Sequence, residues 1–480
     1  MTRSYTTAST QNSPRTWRYT AVGGETTLSG VDGFSTTLSY AVGGEQLFVN
    51  GVLLERGVDY TATNGTSVTL SNALVVGDLV TIVSQNTFAI ANALPLATVQ
   101  NKGDLIVGTA SGAVTNLGVG ADGSTLVANS SAGGGVSWAG PTVTAGKNLL
   151  INGAMEIDQR NNGASVTPST TAYTQDRWQA IFSTGSKFSC QKNAGSVTPP
   201  AGFAYYFGVT STSAYSVETN DYFGIQQFIE GFNIQSLAWG TSSAKNAVLS
   251  FWVYTSLAGT YTVALRNGLA NYSYPATFTV SSANTWTKIA ITIPGPTSGT
   301  WSTDNTAGIA VWFTLGSGST YTGTANTWAA SNLIQATGSN NLVGTNGATF
   351  YFTGVQFELG SVATAFSRAG GTLQGELAAC QRYYYQLGGV ANGFPIVGGY
   401  LNATGNQIRF PISFPTNMRI APAITVVGTW NTSTNTTQPN PVFINQQGFS
   451  IEISSSSGQV PAAYAYPDTS GKYMTINAEL

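Results

Sequence analysis

Apolar and polar side chains alternate with a period of two through most of this chain, in short runs closed by turns. In TKIAITIPG, Ile289, Ile291 and Ile293 share one face; in GIAVWFTLG, Ile309, Val311, Phe313 and Leu315 do the same. QIRFPISFP sets Ile408, Phe410, Ile412 and Phe414 against Arg409, Pro411, Ser413 and Pro415, and prolines along one side of a strand imply a sheet edge. A period of two turns one face of an extended segment into a core and the other to solvent, a spacing that an amphipathic helix does not use. Asn50-Gly51, Asn64-Gly65 and Gly77-Asp78 fall between such runs and read as turns. The fold class expected is therefore all-β. Composition agrees: charged residues make up 8% of the 480, against roughly a quarter in ordinary soluble domains, and 56 glycines sit among abundant Ser, Thr and Asn.

The same composition removes function classes. The 18 Lys and Arg are scattered and the net charge is −2, so there is no basic footprint for nucleic acid. The chain has no histidine and only Cys190 and Cys380, which leaves neither a zinc site nor an imidazole-activated nucleophile. Each cysteine is expected to be a small buried hydrophobe, with a Cys190–Cys380 disulfide as the alternative. No run of about 18 apolar residues occurs, and the first residues lack the apolar core of a secretory signal, so no membrane insertion is expected.

Changes of texture divide the chain. Residues 1–18 are polar and aperiodic and read as an N-terminal tail; residues 19–86, with AVGGE at 21–25 and again at 41–45, read as a small β domain. Residues 87–147 hold apolar side chains singly or in threes between glycines, too few to bury a core in one copy, and are expected to form a shaft shared by several chains. The aromatic-rich block 148–370 offers about eight to ten short strands and reads as a β-sandwich, most simply a jelly roll. GELAACQRYYYQL interrupts the alternation: Leu377, Cys380, Tyr384 and Leu387 fall on a narrow helical seam, giving a short connector helix at 371–387. So short a helix must bury its seam, either against its own sandwich or against two copies of itself on a threefold axis. Strands resume in 388–480, a second, smaller β domain.

Two segments bracketing the central block carry a family resemblance. FTGVQFELGSVATAFSRAGGTLQGELAACQRYYYQL (352–387) and NLLINGAMEIDQRNNG (148–163) are similar to the closing junction and the opening of a carbohydrate-binding-module-like jelly roll found in tail-fibre and receptor-binding proteins of tailed bacteriophages. LGVGADGSTLVANSSAGGGVSW resembles their fibre shafts, and VNGVLLERGVDYTATNGTSVTL a hairpin module near their N-termini. Ala365 stands where that family often has proline. The resemblance implies a homotrimeric virion appendage, assembled in the host cytoplasm, that docks on a tail or adaptor protein through its N-terminal region and binds a host cell-surface polysaccharide. Two other readings remain beside it, an enzymatic tailspike and a purely structural fibre.

Three chemistries bear on individual residues. Glycan cleavage needs a pair of carboxylates at about 5 to 9.5 Å, and only Glu218, Asp221 and Glu230 are clustered enough in sequence to consider; Asp176 beside Arg177 reads as a structural ion pair. Calcium prefers closely spaced oxygens, which Glu156, Asp158 and Asn161 offer before Gly163, although Asn-Asn-Gly is equally a plain turn. Sugar binding needs aromatic platforms among amides and hydroxyls, and Tyr272, Tyr274, Trp301, Tyr321, Trp328 and Trp430 lie in loops rich in Gly, Ser, Thr and Asn. Each of these rings could instead anchor its loop. The expectation is noncovalent glycan binding with no catalytic residue and no required cofactor.

Overall fold

The computed structural model describes residues 14–84, 98–110, 113–121, 124–139, 146–388, 396–397, 400–401, 406–432, 436–455, 464–466 and 471–480. The chain divides into two compact units, Met1–Val119 with Ser130–Gly135, and Gly120–Asn129 with Val136–Leu480. It is almost wholly β, as the alternation requires.

In the first unit, β1 (Arg15–Thr20), β2 (Thr27–Ser29), β3 (Glu45–Val49), β4 (Val52–Leu53), β5 (Tyr60–Thr61), β6 (Ser67–Leu70) and β7 (Leu79–Ser84) build two antiparallel sheets, ordered β1-β7-β3-β4 and β2-β6-β5. Their inner faces close over Trp17, Leu28, Leu47, Tyr60, Val68 and Ile82. The first strand begins at Arg15, inside the stretch read as a tail, because Trp17 is buried opposite Ile82. Asn50 and Gly51 both take positive φ, which a two-residue hairpin turn between β3 and β4 demands. The AVGGE repeat is a loop device: the Glu25 carboxylate accepts from the Val22 and Gly23 N–H groups, and Glu45 from Gly43 N–H.

Two hairpins follow. β8 (Leu105–Ala110) pairs with β9 (Ala113–Leu117) in the first unit, and β10 (Thr125–Ala128) with β11 (Val136–Ala139) in the second. Leu105, Ile106, Val114 and Leu126 are exposed, and no described residue of either hairpin joins a hydrophobic core.

The central block contains β12 (Ala172–Gln175), β13 (Trp178–Phe182), β14 (Phe188–Lys192), β15 (Phe207–Ser211), β16 (Tyr222–Glu230), β17 (Ala247–Thr255), β18 (Gly259–Asn267), β19 (Ser273–Val280), β20 (Thr287–Ile293), β21 (Ala307–Ser317), β22 (Thr322–Gly323), β23 (Gln335–Ala336) and β24 (Thr349–Leu359). Six strands, β12-β13-β16-β21-β18-β19, face five, β14-β15-β24-β17-β20, and the chain crosses repeatedly from one sheet to the other, as in a jelly roll. The core between them includes Trp178, Phe207, Phe223, Phe251, Phe313, Phe350 and Phe352. At Gly354, φ is +62° and β24 carries an extra residue against β17; a Cβ there would meet the Phe203 ring at 2.5 Å, so glycine makes both the bulge and the close approach. A single turn of helix, α1 (Gly231–Ile234), follows β16.

Helix α2 (Leu373–Gln381) is capped by Thr372, whose hydroxyl accepts from Gly375 N–H at 3.1 Å. It is shorter than the sequence indicates, since the chain turns at Arg382-Tyr383 and enters β25 (Tyr384–Gly388). Cys380 and Tyr383 are buried against Ile151 and Ile157 with Leu377 beside them, so the helix packs on its own chain, while Tyr384 and Leu387 lie on a strand. The expected four-residue seam is thus split. Three consecutive tyrosines suit a pleated, half-buried surface better than a helix, and Tyr384 faces inward under either spacing.

The C-terminal domain comprises β25, β26 (Ile396–Val397), β27 (Tyr400–Leu401), β28 (Gln407–Ser413), β29 (Ala423–Val427), β30 (Asn431–Thr432), β31 (Asn440–Val442), β32 (Gly448–Ser454), β33 (Tyr464–Tyr466) and β34 (Tyr473–Asn477). The sheets run β25-β34-β29, β26-β33-β30 and β27-β28-β32-β31. Strand β28 is therefore interior in sheet order, between β27 and β32, so the prolines along it do not mark the sheet edge that the sequence implies. Both cysteines are free and buried.

Candidate functional site

Four of the six aromatic candidates meet in one place, Tyr272, Trp301 and Trp328 from loops and Tyr274 from strand β19, where it is buried and not the loop residue the sequence suggests. Trp328 stacks on Tyr272 with ring centroids 5.6 Å apart and planes 18° apart, and lies 5.1 Å from Tyr274 and 5.6 Å from Trp301. Trp239, which sequence reasoning missed, completes the group at 4.9 Å from Trp301 and 5.4 Å from Trp328. Its stretch SLAWG lacks alternation, but a Trp beside Gly in a Ser/Thr loop is the signal that singled out the others. Ala238 takes the left-handed conformation as the helical turn ends, and Trp239 enters the core against Phe357.

Each indole N–H is satisfied by a backbone carbonyl: Trp239 donates to Lys245 O at 2.8 Å, Trp301 to Ser298 O at 3.1 Å and Trp328 to Pro294 O at 2.7 Å. The rings therefore pin the surrounding loops. Beside them opens a cleft of about 440 Å³ lined by Ile234, Gln235, Ala238, Trp239, Thr241, Trp301 and Thr303. Its indole floor is apolar, while Gln235, Thr241 and Thr303 are exposed at its rim. This is the size and chemistry of a small-ligand cleft. Gly240 adjoins it because a Cβ there would meet the Trp301 ring at 2.8 Å.

The other two aromatic candidates are elsewhere. Trp430 is packed into the core of the C-terminal domain with Phe410, Phe449 and Ile451, apart from this aromatic group, which corrects its reading as a loop platform. Tyr321 is half-buried beside Tyr222, 5.4 Å away edge-to-face.

Of the acidic candidates Glu218 is exposed, and Glu230 and Asp221 are bound up in the fold. Glu230 is 2% exposed, held by Arg382 at 2.6 Å and by the Tyr383 hydroxyl at 2.7 Å. Asp221 accepts from Ser183, Tyr215 and the Glu218 N–H; burial works to raise its pKa, but these bonds outweigh it and hold the carboxyl below the usual range. The two stand at opposite ends of the nine-residue β16, roughly 30 Å apart at about 3.3 Å per residue, too far for a hydrolytic pair. The calcium candidates are likewise not assembled. Arg368 engages the Glu156 carboxylate at 2.6 Å, Asp158 closes its own turn on Asn161 and Gly163 N–H, and Asn161 donates to Thr174 O. Among the described residues no group of three or more acidic, His or Cys side chains could hold a metal ion.

No protein-family model and no curated protein matches this chain. Solved structures do align with part of this chain. The enzymatically active domain of tailspike protein 4 from bacteriophage CBA120 aligns over 46% of this chain and 22% of its own, at 11% identity and a TM-score of 0.24. The family 11 carbohydrate-binding module from Clostridium thermocellum, in complex with a β-1,3-1,4-mixed-linked tetrasaccharide, aligns over 42% of this chain and 99% of its own, at 15% identity and 0.22. TmCBM61, in complex with β-1,4-galactotriose, aligns over 45% and 99%, at 11% and 0.23. This chain thus spans about a fifth of that tailspike domain's length.

The strongest electrostatic cluster has a different role. Arg177, 1% exposed, pairs not with its neighbour Asp176 but with Glu479, which also takes Arg160 at 2.6 Å. Arg160 lies over the Tyr384 ring at 3.7 Å and Arg177 over Tyr383 at 3.6 Å, while Arg419 donates to the Ala478 and Glu479 carbonyls. Asp176 instead accepts from the Gln159 N–H and amide, and burial pushes its carboxyl up to about 6. The tyrosines of the connector thus lock the sandwich to the C-terminal domain.

Proposed function

We propose that this chain is a tail fibre of a tailed bacteriophage that binds a host cell-surface polysaccharide without cleaving it. The observation that carries the glycan reading is the cleft floored by Trp239 and Trp301 and rimmed by Gln235, Thr241 and Thr303, whose two indoles are held by ring contacts with Trp328 and, through it, Tyr272 and Tyr274. Apolar ring surface below and amide and hydroxyl groups above are what a pyranose, with its apolar and polar faces, requires. The phage reading is supported by the segments at 148–163 and 352–387. In this proposal the chain is a homotrimer, held to a tail or adaptor protein by its N-terminal unit, and the uncovered hairpins β8–β9 and β10–β11 form the shaft that three copies share. Three shallow sites on one stalk raise effective concentration, so weak individual binding suffices for adsorption.

The test is binding of the full chain to host cells and to their extracted polysaccharide, for the native sequence and for the double variant Gln235→Ala, Thr303→Ala. These rim residues are exposed, so the fold is kept, and loss of their hydrogen bonds is expected to weaken binding about tenfold. Native protein that ignores the polysaccharide, or a double variant that binds as well as native, overturns the site.

A further inference from the structure

The outer face of the six-stranded sheet, turned away from the sandwich core, carries a second set of polar groups. Gln179 on β13, Gln226 on β16, Trp312 on β21 and Ala264 on β18 lie in register across it. Arg266, two residues beyond Ala264 and so on the same face, lays its guanidinium over the Trp312 ring at 4.6 Å. The chain between β21 and β24 runs over part of this face: Ile334 packs on Trp312, and Ala336 N–H donates to the Thr262 hydroxyl at 3.0 Å.

Arg266 is only 7% exposed, yet its terminal nitrogens reach neutral acceptors alone, Asn332 Oδ1 at 2.6 Å and Gln226 Oε1 at 3.0 Å. Among the described residues no carboxylate pairs with it. Its Nε–H has no acceptor, and neither has the indole N–H of Trp312 beneath it. Burial without a counter-charge pushes the guanidinium pKa down to about 10. Holding a desolvated cation on amides is costly, and the cost is recovered when an anion arrives. The arrangement is pre-set, because Gln226 is itself fixed by donating to Gln179 Oε1 at 2.6 Å, and Tyr222 and Tyr321 stand half-buried nearby.

We propose that this face is a second glycan surface, on which Arg266 receives the carboxylate of an acidic sugar residue while Gln179, Tyr222 and Tyr321 flank its ring. The inference rests on the glycan-binding reading above and narrows it to uronate-bearing polymers.

Calorimetric titration of the full chain with sodium glucuronate, glucose and sodium acetate at matched ionic strength tests it. Glucuronate is expected to bind at least about tenfold more tightly than either of the others, the worth of one charge-assisted hydrogen-bond pair in a dry site. Arg266→Gln should bring glucuronate down to the level of glucose. Because that variant removes a buried side chain, Gln226→Glu is measured beside it: a carboxylate placed 3.0 Å from the guanidinium supplies the missing counter-charge, and should abolish glucuronate binding while raising the melting temperature. Equal binding of acetate and glucuronate would mean a bare anion site, and equal binding of glucose and glucuronate, or a preference that survives both variants, would remove Arg266 from recognition; any of these overturns the inference. Binding of the host polysaccharide through the aromatic cleft is read separately, so glucuronate can fail while the cleft stands.

Discussion

The sandwich and the paired hairpins are built from similar material, short alternating runs between glycines, and they solve the problem of apolar surface differently. In the sandwich every core strand finds a partner sheet in its own chain: Phe352 is 0% exposed, stacked on Phe313 at 4.5 Å and Phe207 at 5.2 Å, with Trp178 edge-on at 5.3 Å. Strands β8 to β11 have sheet partners but, among the described residues, join no hydrophobic core, and Ile106 and Leu126 remain about two-fifths exposed. A two-stranded hairpin is marginal in water without a covered face. The difference teaches that β pattern alone does not make a domain; a second layer does, and it can come from the same chain or from another.

The comparison breaks most visibly in the core. Phe352→Ala should remove about 3 to 5 kcal/mol from the sandwich, since the ring contacts on both sides are lost and the packed neighbours relax only in part. The check is chemical denaturation followed by Trp fluorescence. A loss below about 1 kcal/mol would mean that the two sheets are not held by this aromatic layer.

A smaller effect is expected where the sandwich meets the C-terminal domain, which is also closed within the chain but by charge. Glu479→Gln leaves Arg177 and Arg160 without their shared carboxylate in a buried setting and should cost about 3 kcal/mol. The measurement is thermal unfolding of the full chain, in which the C-terminal domain should separate as an earlier transition. An unsplit transition at the native temperature would show the junction held by α2 and the tyrosines alone.

These two regions were not equally legible. Strand alternation found the sandwich because a half-buried strand writes its burial into every second residue: Ile289, Ile291 and Ile293 turn inward while Lys288, Ala290 and Thr292 are exposed. Four of the aromatic candidates come together in space, although nothing in sequence spacing says that Tyr272, Trp301 and Trp328 meet. The junction was hidden. Arg177 sits at φ +69° in the turn between β12 and β13, which aims it away from Asp176, and its partner lies 302 residues later. Trp430 misled for the opposite reason, since a Gly- and Thr-rich neighbourhood marks a loop but not which way its one large side chain faces. Arg266 carried no signal at all, because its distinction is the lack of an acid nearby in space.

The smallest effect on stability, and the sharpest on the comparison, belongs to the hairpins. Ile106→Ser removes an apolar side chain that is 39% exposed and outside any core of its own chain, so unfolding of the sandwich should move by less than about 0.5 kcal/mol. If copies of the chain supply the missing layer, the same change should instead lower the mass measured by sedimentation at dilute concentration, and Leu126→Ser should act in the same sense from β10. Stability and assembly would then respond to different residues: Phe352→Ala would unfold the sandwich, whereas Ile106→Ser would leave it folded and release it from its neighbours. A native chain that already sediments as a single copy would leave these apolar side chains without a partner of their own kind, and the shaft reading would fall while the sandwich and its cleft remained.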